Sequence, residues 1–161
     1  MLVGEQPGDV EDREGHPFVG PTGRLLHELL AEAGLTKRQV YLTNAVKHFK
    51  WRPSGKRRIH DKPSWRETQV CGHWLDLELR AVRPKLVVCL GATATTLLFG
   101  RDARVGALRG RRLELADGLP ALVTIHPSAV LRARDNRKQM RAGLLADLEL
   151  ARRMLESYQS E

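Results

Sequence analysis

The sequence predicts an α/β fold in which helices cover both faces of a central, mostly parallel sheet, a three-layer α/β/α arrangement. Short apolar runs alternate with amphipathic helical patterns along the chain, which is the order of consecutive βαβ units. The chain has 161 residues, a length that fits one domain, and no linker-like segment divides it. We therefore expect a single domain over residues 1–161.

The composition is typical of a globular protein, with 42% hydrophobic and 29% charged residues. No apolar run approaches the ~20 residues that a membrane span needs, and no basic signal-peptide segment precedes the first predicted strand. These features argue against a membrane partner and predict a cytoplasmic protein. Two cysteines are too few for a disulfide framework, and Cys89, inside an apolar run, is predicted to be a core residue.

The first predicted unit is a βαβ unit over residues 1–44. A short apolar strand, residues 1–3, leads into a long glycine- and proline-rich loop, and a helix then runs from near Thr22 to Gly34. A second strand over residues 40–44 ends at Asn44. The carboxyl ends of parallel strands meet at one edge of a sheet, where ligands bind in open α/β folds. We therefore expect Asn44 and the opening loop to share a ligand site.

The sequence of the middle of the chain predicts a basic loop followed by a helix. Residues 45–63 combine cations with prolines and a glycine and are predicted to lack regular structure. Ser64 and Glu67 then have the spacing of a capping box, which predicts a helix to about Arg80. Its expected core residues are Val70, Trp74, Leu75 and Leu77. A buried strand over residues 86–90 and a short helix over residues 92–99 follow.

The last third predicts an antiparallel strand pair and a long helix. Residues 113–115 and 121–125 flank an Asp-Gly turn, and the second strand ends in His126-Pro127-Ser128. The apolar face of the final helix comprises Met140, Leu144, Leu148 and Met154.

The net charge of +8 is concentrated in three blocks, residues 47–62, 101–112 and 132–141. Clustered cations suit a polyanion, and nucleic acid is the commonest polyanion in a cytoplasm. The alternative is a generally basic surface without a nucleic-acid role.

Three strand ends bring polar and aromatic groups to one edge. The residues concerned are Glu5, Gln6, Asp9, Phe18, Asn44 and His126. An aromatic ring can stack on an unstacked nucleobase, and an amide can read its edge with a donor and an acceptor. A carboxylate can stabilise a cationic sugar or orient a nucleophile, and an imidazole can stabilise a departing base. Together these groups predict cleavage of an N-glycosidic bond.

Each residue also has an ordinary structural explanation. The acids of the opening loop fit a solvent-exposed turn, an Asn at a strand end often caps a turn, and a His before Pro is often structural. The joint occurrence at successive strand ends favours the catalytic interpretation.

Several motifs resemble the uracil-DNA glycosylase superfamily, nearest its iron-sulfur branches. They are Gly-Glu-Gln-Pro-Gly at 4–8 with Phe-Val-Gly at 18–20, Thr-Asn-Ala-Val-Lys at 43–47, and His-Pro-Ser at 126–128. Gly-Lys-Arg-Arg-Ile-His at 55–60 is similar to the insertion that marks the UdgX-type members. This resemblance implies a uracil-DNA glycosylase-like fold and a DNA repair function.

The resemblance also implies roles for individual residues. Catalytic or positioning roles would belong to Glu5, Gln6, Asp9 and His126. The residues that would contact the flipped uracil are Gly4, Gly8, Phe18, Asn44 and Ser128. His60 would attack the sugar C1′ and stay attached to the DNA in a single-turnover reaction, with Glu5 handling its proton. Lys56, Arg57 and Arg58 would hold the DNA phosphates. Gln6 departs from the Ala that many iron-sulfur members carry at this position.

Two alternatives to covalent capture stay open. The chain could be an ordinary turnover glycosylase in which water attacks and His60 only contacts DNA, or a catalytically silent nucleic-acid-binding domain. The expected partner is uracil-containing DNA, preferably single-stranded, bound by a monomer.

The resemblance further implies a [4Fe-4S] cluster in the complete protein. Cys71 is one candidate ligand, and His48, which stands where turnover members have a cysteine, is the other. The family's upstream Cys-x-x-Cys pair has no counterpart in the 161 residues, so an incomplete cluster site is expected.

Overall fold

The computed structural model describes residues 1–158 and contains a five-stranded sheet with an additional two-stranded hairpin. The sheet strands are Leu2–Gly4 (β1), Leu42–Asn44 (β2), Val87–Leu90 (β5), Leu113–Glu114 (β6) and Pro120–Thr124 (β7), and the hairpin strands are Trp51–Ser54 (β3) and Arg57–His60 (β4). The helices are Asp9–Glu14 (α1), Pro21–Glu32 (α2), Trp65–Val82 (α3), Ala92–Phe99 (α4), Val105–Leu108 (α5), Pro127–Arg132 (α6) and Arg137–Ser157 (α7), with a 3₁₀ turn at Lys37–Gln39.

The sheet has the order β2-β1-β5-β7-β6, and all neighbouring strands are parallel except β6 and β7. Leucines of α2 and α7, such as Leu29 and Leu148, pack with Leu122 in one core layer. Leu75 of α3 and Ala94 of α4 pack with Val87 in the other. Helices therefore cover both faces, which confirms the predicted three-layer α/β/α fold with a mostly parallel sheet.

The carboxyl ends of β1, β2, β5 and β7 lie at one edge of the sheet, as parallel pairing requires. Gly4 pairs with Asn44, and Leu90 pairs with Thr124. The expected meeting of Asn44 with the opening loop is thereby confirmed.

The opening loop contains a helix that the sequence analysis missed. α1 begins after Gly8 and ends at Gly15, and it carries several acids of the segment that is expected from the sequence to be a loop. Glu11 determines its placement, because its two carboxylate oxygens accept hydrogen bonds from the backbone N–H groups of Gly8 (3.2 Å) and Gly20 (2.8 Å). An acid in the first turn of a helix is also favoured by the helix dipole.

The prediction that residues 45–63 lack regular structure is wrong. Residues 51–60 form an antiparallel hairpin in which Trp51 pairs with His60 and Ser54 pairs with Arg57. Its two-residue loop begins with Gly55 at φ 58°. Two-residue turns with glycine at the first position are among the favoured hairpin connections. Pro53 is tolerated because a two-stranded hairpin has only edge strands.

The predicted core face of α3 is also largely wrong. Leu75 is fully buried, but Val70, Trp74 and Leu77 are 70%, 52% and 46% exposed. The helix instead buries a stripe of mostly small residues, Thr68, Cys71, Gly72 and Leu75. Small residues allow the helix to approach α4 closely, since a Cβ at position 72 would lie 2.9 Å from Leu97.

Several other local predictions are confirmed. Ser64 and Glu67 form the expected capping box at the start of α3. Cys89 is fully buried, and so are Leu144, Leu148 and Met154 of α7, while Met140 is partly buried. Within residues 1–158, no helix is long and apolar enough to cross a bilayer.

Candidate active site

Loops from four strand ends meet at one edge of the sheet and form the candidate site. Glu5 follows β1, Asn44 ends β2, Thr93 lies just beyond β5, and His126 follows β7. The hairpin adds His60 from outside the sheet. The predicted site residues on the strand ends are thus brought together by the parallel pairing of the sheet.

Gly4, Asn44 and Phe18 lie close together within the candidate site. A Cβ at Gly4 would lie 2.5 Å from the Asn44 Oδ1 and 2.7 Å from the Phe18 Cζ, which is too close for any side chain. Asn44 and Phe18 are both almost completely buried. The amide and the ring therefore both pack against the backbone of Gly4.

Phe18 has an unusual backbone conformation, with φ at 56°. Left-handed φ angles are uncommon for residues with a bulky side chain, and such strain accumulates at functional sites. The ring of Phe18 stacks on that of His126, with centroids 6.2 Å apart and planes inclined by 30°. Phe18 thus lines the pocket together with the imidazole.

The hydrogen bonds of His126 determine which of its nitrogens carries the proton. Its Nδ1 accepts a hydrogen bond from the Ser128 backbone N–H at 3.2 Å and lies 2.8 Å from the Ser128 Oγ. Burial lowers the pKa of His126 to about 4, so the ring is neutral at physiological pH. A neutral ring that accepts at Nδ1 has its proton on Nε2. His126 therefore presents one N–H donor without a positive charge.

Glu5 contacts a residue on each side of it. Its Oε1 lies 3.1 Å from the His60 Nε2, and its Oε2 accepts a hydrogen bond from the Thr93 Oγ1 at 2.5 Å. His60 is half-exposed and also lies near the Phe49 ring, with centroids 6.4 Å apart. The structure thus places a carboxylate and an imidazole side by side, with the imidazole accessible from solvent.

Gln6 contacts the base of the hairpin. Its amide nitrogen donates to the backbone carbonyls of Lys50 (3.1 Å) and Asp61 (3.2 Å), and its carbonyl accepts from the Lys50 backbone N–H at 3.1 Å. Lys50 and Asp61 flank the hairpin, so the hydrogen bonds of Gln6 fix the position of both ends of the hairpin. This placement indicates a positioning role for Gln6.

Asp9 and Arg58, predicted to act on substrate and DNA, are bound to each other. The Arg58 guanidinium contacts Asp9 and also donates to the Asp12 Oδ2 at 2.6 Å. It lies over the rings of Phe49 and Trp51, with its Cζ 5.2 and 5.6 Å from their centroids. Arg58 therefore fastens the hairpin to α1, and its contact with DNA stays a prediction.

The other two predicted DNA-binding residues lie at the tip and on the outer strand of the hairpin. Lys56 and Arg57 are both exposed. Their placement leaves both cations accessible to a phosphate backbone.

The end of β2 is held by a network that the sequence analysis did not single out. The Lys47 ammonium donates to the Thr43 Oγ1, the Asn44 backbone carbonyl and the Glu78 Oε2, each at 2.7 Å. This network ties α3 to the strand end that carries Asn44.

The predicted metal ligands, His48 after β2 and Cys71 on α3, lie close together. The Cys71 Sγ is 3.7 Å from the His48 Nδ1. Among residues 1–158, no group of three His, Cys, Asp or Glu side chains is arranged to hold a metal ion. Two donors do not make a cluster site, which needs four ligands. The described residues do not by themselves fit a [4Fe-4S] cluster.

Thr93 and Glu11 are the main site residues that the sequence analysis missed. Thr93 follows the glycine that ends β5, so the rule that ligand sites form at carboxyl strand ends could have found it. Glu11 has no such signal, because its role depends on the distant Gly20.

Comparison with known proteins identifies the family. The uracil DNA glycosylase superfamily matches residues 1–149. A type-4 uracil-DNA glycosylase of Thermotoga maritima is 37% identical over 157 residues, which cover 97% of this chain and 77% of that protein. A type-4 enzyme of Archaeoglobus fulgidus is 36% identical over 138 residues, covering 81% of this chain and 66% of that protein.

A type-5 uracil-DNA glycosylase of Pyrobaculum aerophilum is 35% identical over 96 residues, 59% of this chain and 39% of that protein. The more specific UdgX-type assignment depends on residues 55–60 and stays a prediction. The match over most of the chain, together with the pocket at the strand ends, establishes that the chain belongs to the uracil-DNA glycosylase superfamily.

Proposed function

We propose that the protein excises uracil from DNA and that His60 then binds the resulting abasic site covalently. The observation that carries this proposal is the 3.1 Å contact between the His60 Nε2 and the Glu5 Oε1 at the edge of the pocket. A solvent-accessible imidazole beside a carboxylate is the arrangement of an activated nucleophile.

Excision begins with a uracil flipped out of the DNA into the pocket. Phe18 stacks on the base, and the Asn44 amide donates to and accepts from its polar edge. The bond between the uracil nitrogen and the sugar C1′ breaks, and its electron pair leaves with the uracil as an anion. The N–H of neutral His126 donates to a uracil oxygen and stabilises that charge.

Capture completes the reaction at the sugar. The cation at C1′ is the electrophile, and a ring nitrogen of His60 uses its lone pair to form the new bond. The ring becomes positively charged and loses the proton on its other nitrogen to Glu5 or to water. Because the new carbon–nitrogen bond does not hydrolyse, each molecule reacts once.

The anchors of the hairpin support this role for His60. Gln6 holds both ends of the hairpin, and Arg58 fastens it to α1. A nucleophile must be held in a near-attack position, so a fixed hairpin favours attack by His60 over attack by water. Lys56 and Arg57 would bind the flanking phosphates.

A second candidate is an ordinary turnover glycosylase. The type-4 relatives favour it, because their names describe glycosylases and not cross-linking proteins. In that case a water molecule attacks C1′, and His60 only contacts the DNA.

The test is a reaction with a uracil-containing single-stranded oligonucleotide, followed by denaturing electrophoresis and an assay for abasic sites. We expect a slow-migrating adduct that is absent from a thymine control and from His60→Ala, which should still release uracil. His73→Ala, at an exposed histidine on α3, is the matched control and should form the adduct. An adduct with His60→Ala would disprove the nucleophile assignment.

The remaining outcomes separate the alternatives. Abasic product without an adduct identifies a turnover glycosylase. Salt-sensitive DNA binding with neither product identifies a silent nucleic-acid-binding domain.

We also propose that Cys71 and His48 provide two ligands of a [4Fe-4S] cluster whose other ligands come from elsewhere. Their proximity and soft donor atoms support this assignment. Analysis of iron and acid-labile sulfide is the test. Cys71→Ser should lower both, and an unchanged content would contradict the assignment.

A further inference from the structure

The two carboxylate oxygens of Glu5 have different partners. Oε1 faces the His60 Nε2 at 3.1 Å, whereas Oε2 accepts the hydroxyl hydrogen bond of Thr93 at 2.5 Å. Glu5 lies on the loop after β1, His60 on the hairpin and Thr93 in the first turn of α4. The carboxylate is therefore held between two parts of the fold that are far apart in sequence.

Thr93 is a rigid donor. It is 4% exposed, and β-branched side chains have few χ1 rotamers in a helix. Its helix begins directly after Gly91, where a Cβ would lie 2.9 Å from the Cβ of His126. The Thr93 hydroxyl is thus fixed relative to the residue that contacts the leaving base.

The neighbouring threonines of α4 behave differently. The Thr95 Oγ1 donates to the Gly91 backbone carbonyl at 2.7 Å, and the Thr96 Oγ1 donates to the Thr93 backbone carbonyl at 3.2 Å. Hydroxyls in helices commonly bond back to the preceding turn in this way. The Thr93 hydroxyl donates to another element, which indicates a role beyond helix formation.

We propose that Thr93 is a positioning residue that holds the Glu5 carboxylate with one oxygen directed at His60. This inference rests on the proposed capture reaction and adds a residue to it. A hydroxyl that donates to one carboxylate oxygen fixes the plane of the group, and this leaves the other oxygen placed to accept the proton of the His60 ring.

The decisive variants are Thr93→Val, which removes the hydroxyl at nearly constant volume, and Thr93→Ser, which keeps it. Hydrogen bonds to charged groups are worth enough to change a rate by about 10- to 100-fold. We expect Thr93→Val to slow adduct formation by that factor. Thr93→Ser should restore most of the rate, and Thr96→Val should match the unmodified protein.

The measurement is the rate of single-turnover adduct formation at saturating DNA, with circular dichroism as the check on folding. A Thr93→Val protein with an unchanged rate overturns the inference, and so does a Thr93→Ser protein as slow as Thr93→Val. If Thr93→Val does not fold, Thr93→Ala carries the same comparison. Failure of the unmodified protein to form an adduct overturns the proposed capture reaction itself, which distinguishes the two failures.

Discussion

The guanidinium of Arg58 is bound to the carboxylate of Asp9, so the hairpin that carries His60 is fastened to the helix beside the Glu5 loop. Partial desolvation raises the pKa of Asp9, but hydrogen bonds from Arg58 and Arg13 outweigh it and lower that pKa below its ordinary value. Asp9 is thus a negatively charged carboxylate that keeps the guanidinium of Arg58 in place by an ion pair.

Arg58→Met should slow adduct formation without unfolding the protein. The variant removes the bonds to Asp9 and Asp12, so the hairpin becomes more mobile and His60 spends less time in a near-attack position. We expect a rate about 10-fold lower at saturating DNA, measured in a single turnover. Arg57→Met, on the same strand but exposed, is the control. It should weaken DNA binding and reduce its salt dependence while leaving the saturated rate unchanged; the opposite pattern would contradict the assigned roles.

Gly4→Ala should abolish uracil release. The added methyl group would collide with the Asn44 Oδ1 and the Phe18 ring, and a displacement of about 1 Å at a catalytic site can cost about 100-fold in rate. The abasic-site assay measures the loss. Gly106→Ala is the matched control, because a Cβ there meets no atom within 4 Å. Normal uracil release by Gly4→Ala would show that the close packing of Asn44 and Phe18 against Gly4 is not needed for activity.

The stability of the fold should fall as the pH drops from about 6.5 to about 4 because of His126. Burial lowers its pKa from 6.5 to about 4 in the folded state. Between these values the unfolded chain binds a proton that the folded protein does not. The contribution of His126 to the free energy of unfolding is therefore fully present above pH 6.5 and lost at pH 4. The change is about 3 kcal/mol.

Urea unfolding at pH 7 and at pH 4.5 measures this change. The difference between the unmodified protein and His126→Gln isolates the contribution of this one ring, since other groups titrate in both. Equal losses of unfolding free energy in the two proteins would disprove the assignment.

Asp147 should be among the most stabilising polar residues of α7. Its Oδ2 accepts hydrogen bonds from the Thr124 Oγ1 at 2.5 Å and the Arg109 Nε at 2.7 Å. Breaking a largely buried ion pair leaves one charge uncompensated, so Asp147→Asn should lower the free energy of unfolding by about 3 kcal/mol. Urea unfolding provides the measurement.

Arg141→Met, on the same helix, is the control for this comparison. Arg141 pairs with Glu32 on the surface, where an ion pair contributes about 1 kcal/mol or less. Similar losses for the two variants would contradict the role assigned to burial.

The sequence by itself determined the layers of the fold and the edge at which the site forms. Apolar runs and helical periodicity depend on neighbouring residues, so the strand before Gly4 and the capped start of α3 could be predicted without the fold. Parallel pairing then required Glu5, Asn44 and His126 to meet, because parallel strands end at the same edge.

Only the tertiary structure decided how the site is held. Gln6 bonds to the hairpin base, Arg58 bonds to α1, and Thr93 bonds to Glu5, and each contact joins segments that are distant in sequence. The buried face of α3 was decided in the same way, because Gly72 permits a close approach to α4 that the apolar pattern does not reveal. Local patterns specify which residues are apolar or helical, but partners across the fold depend on the geometry that all the elements reach together.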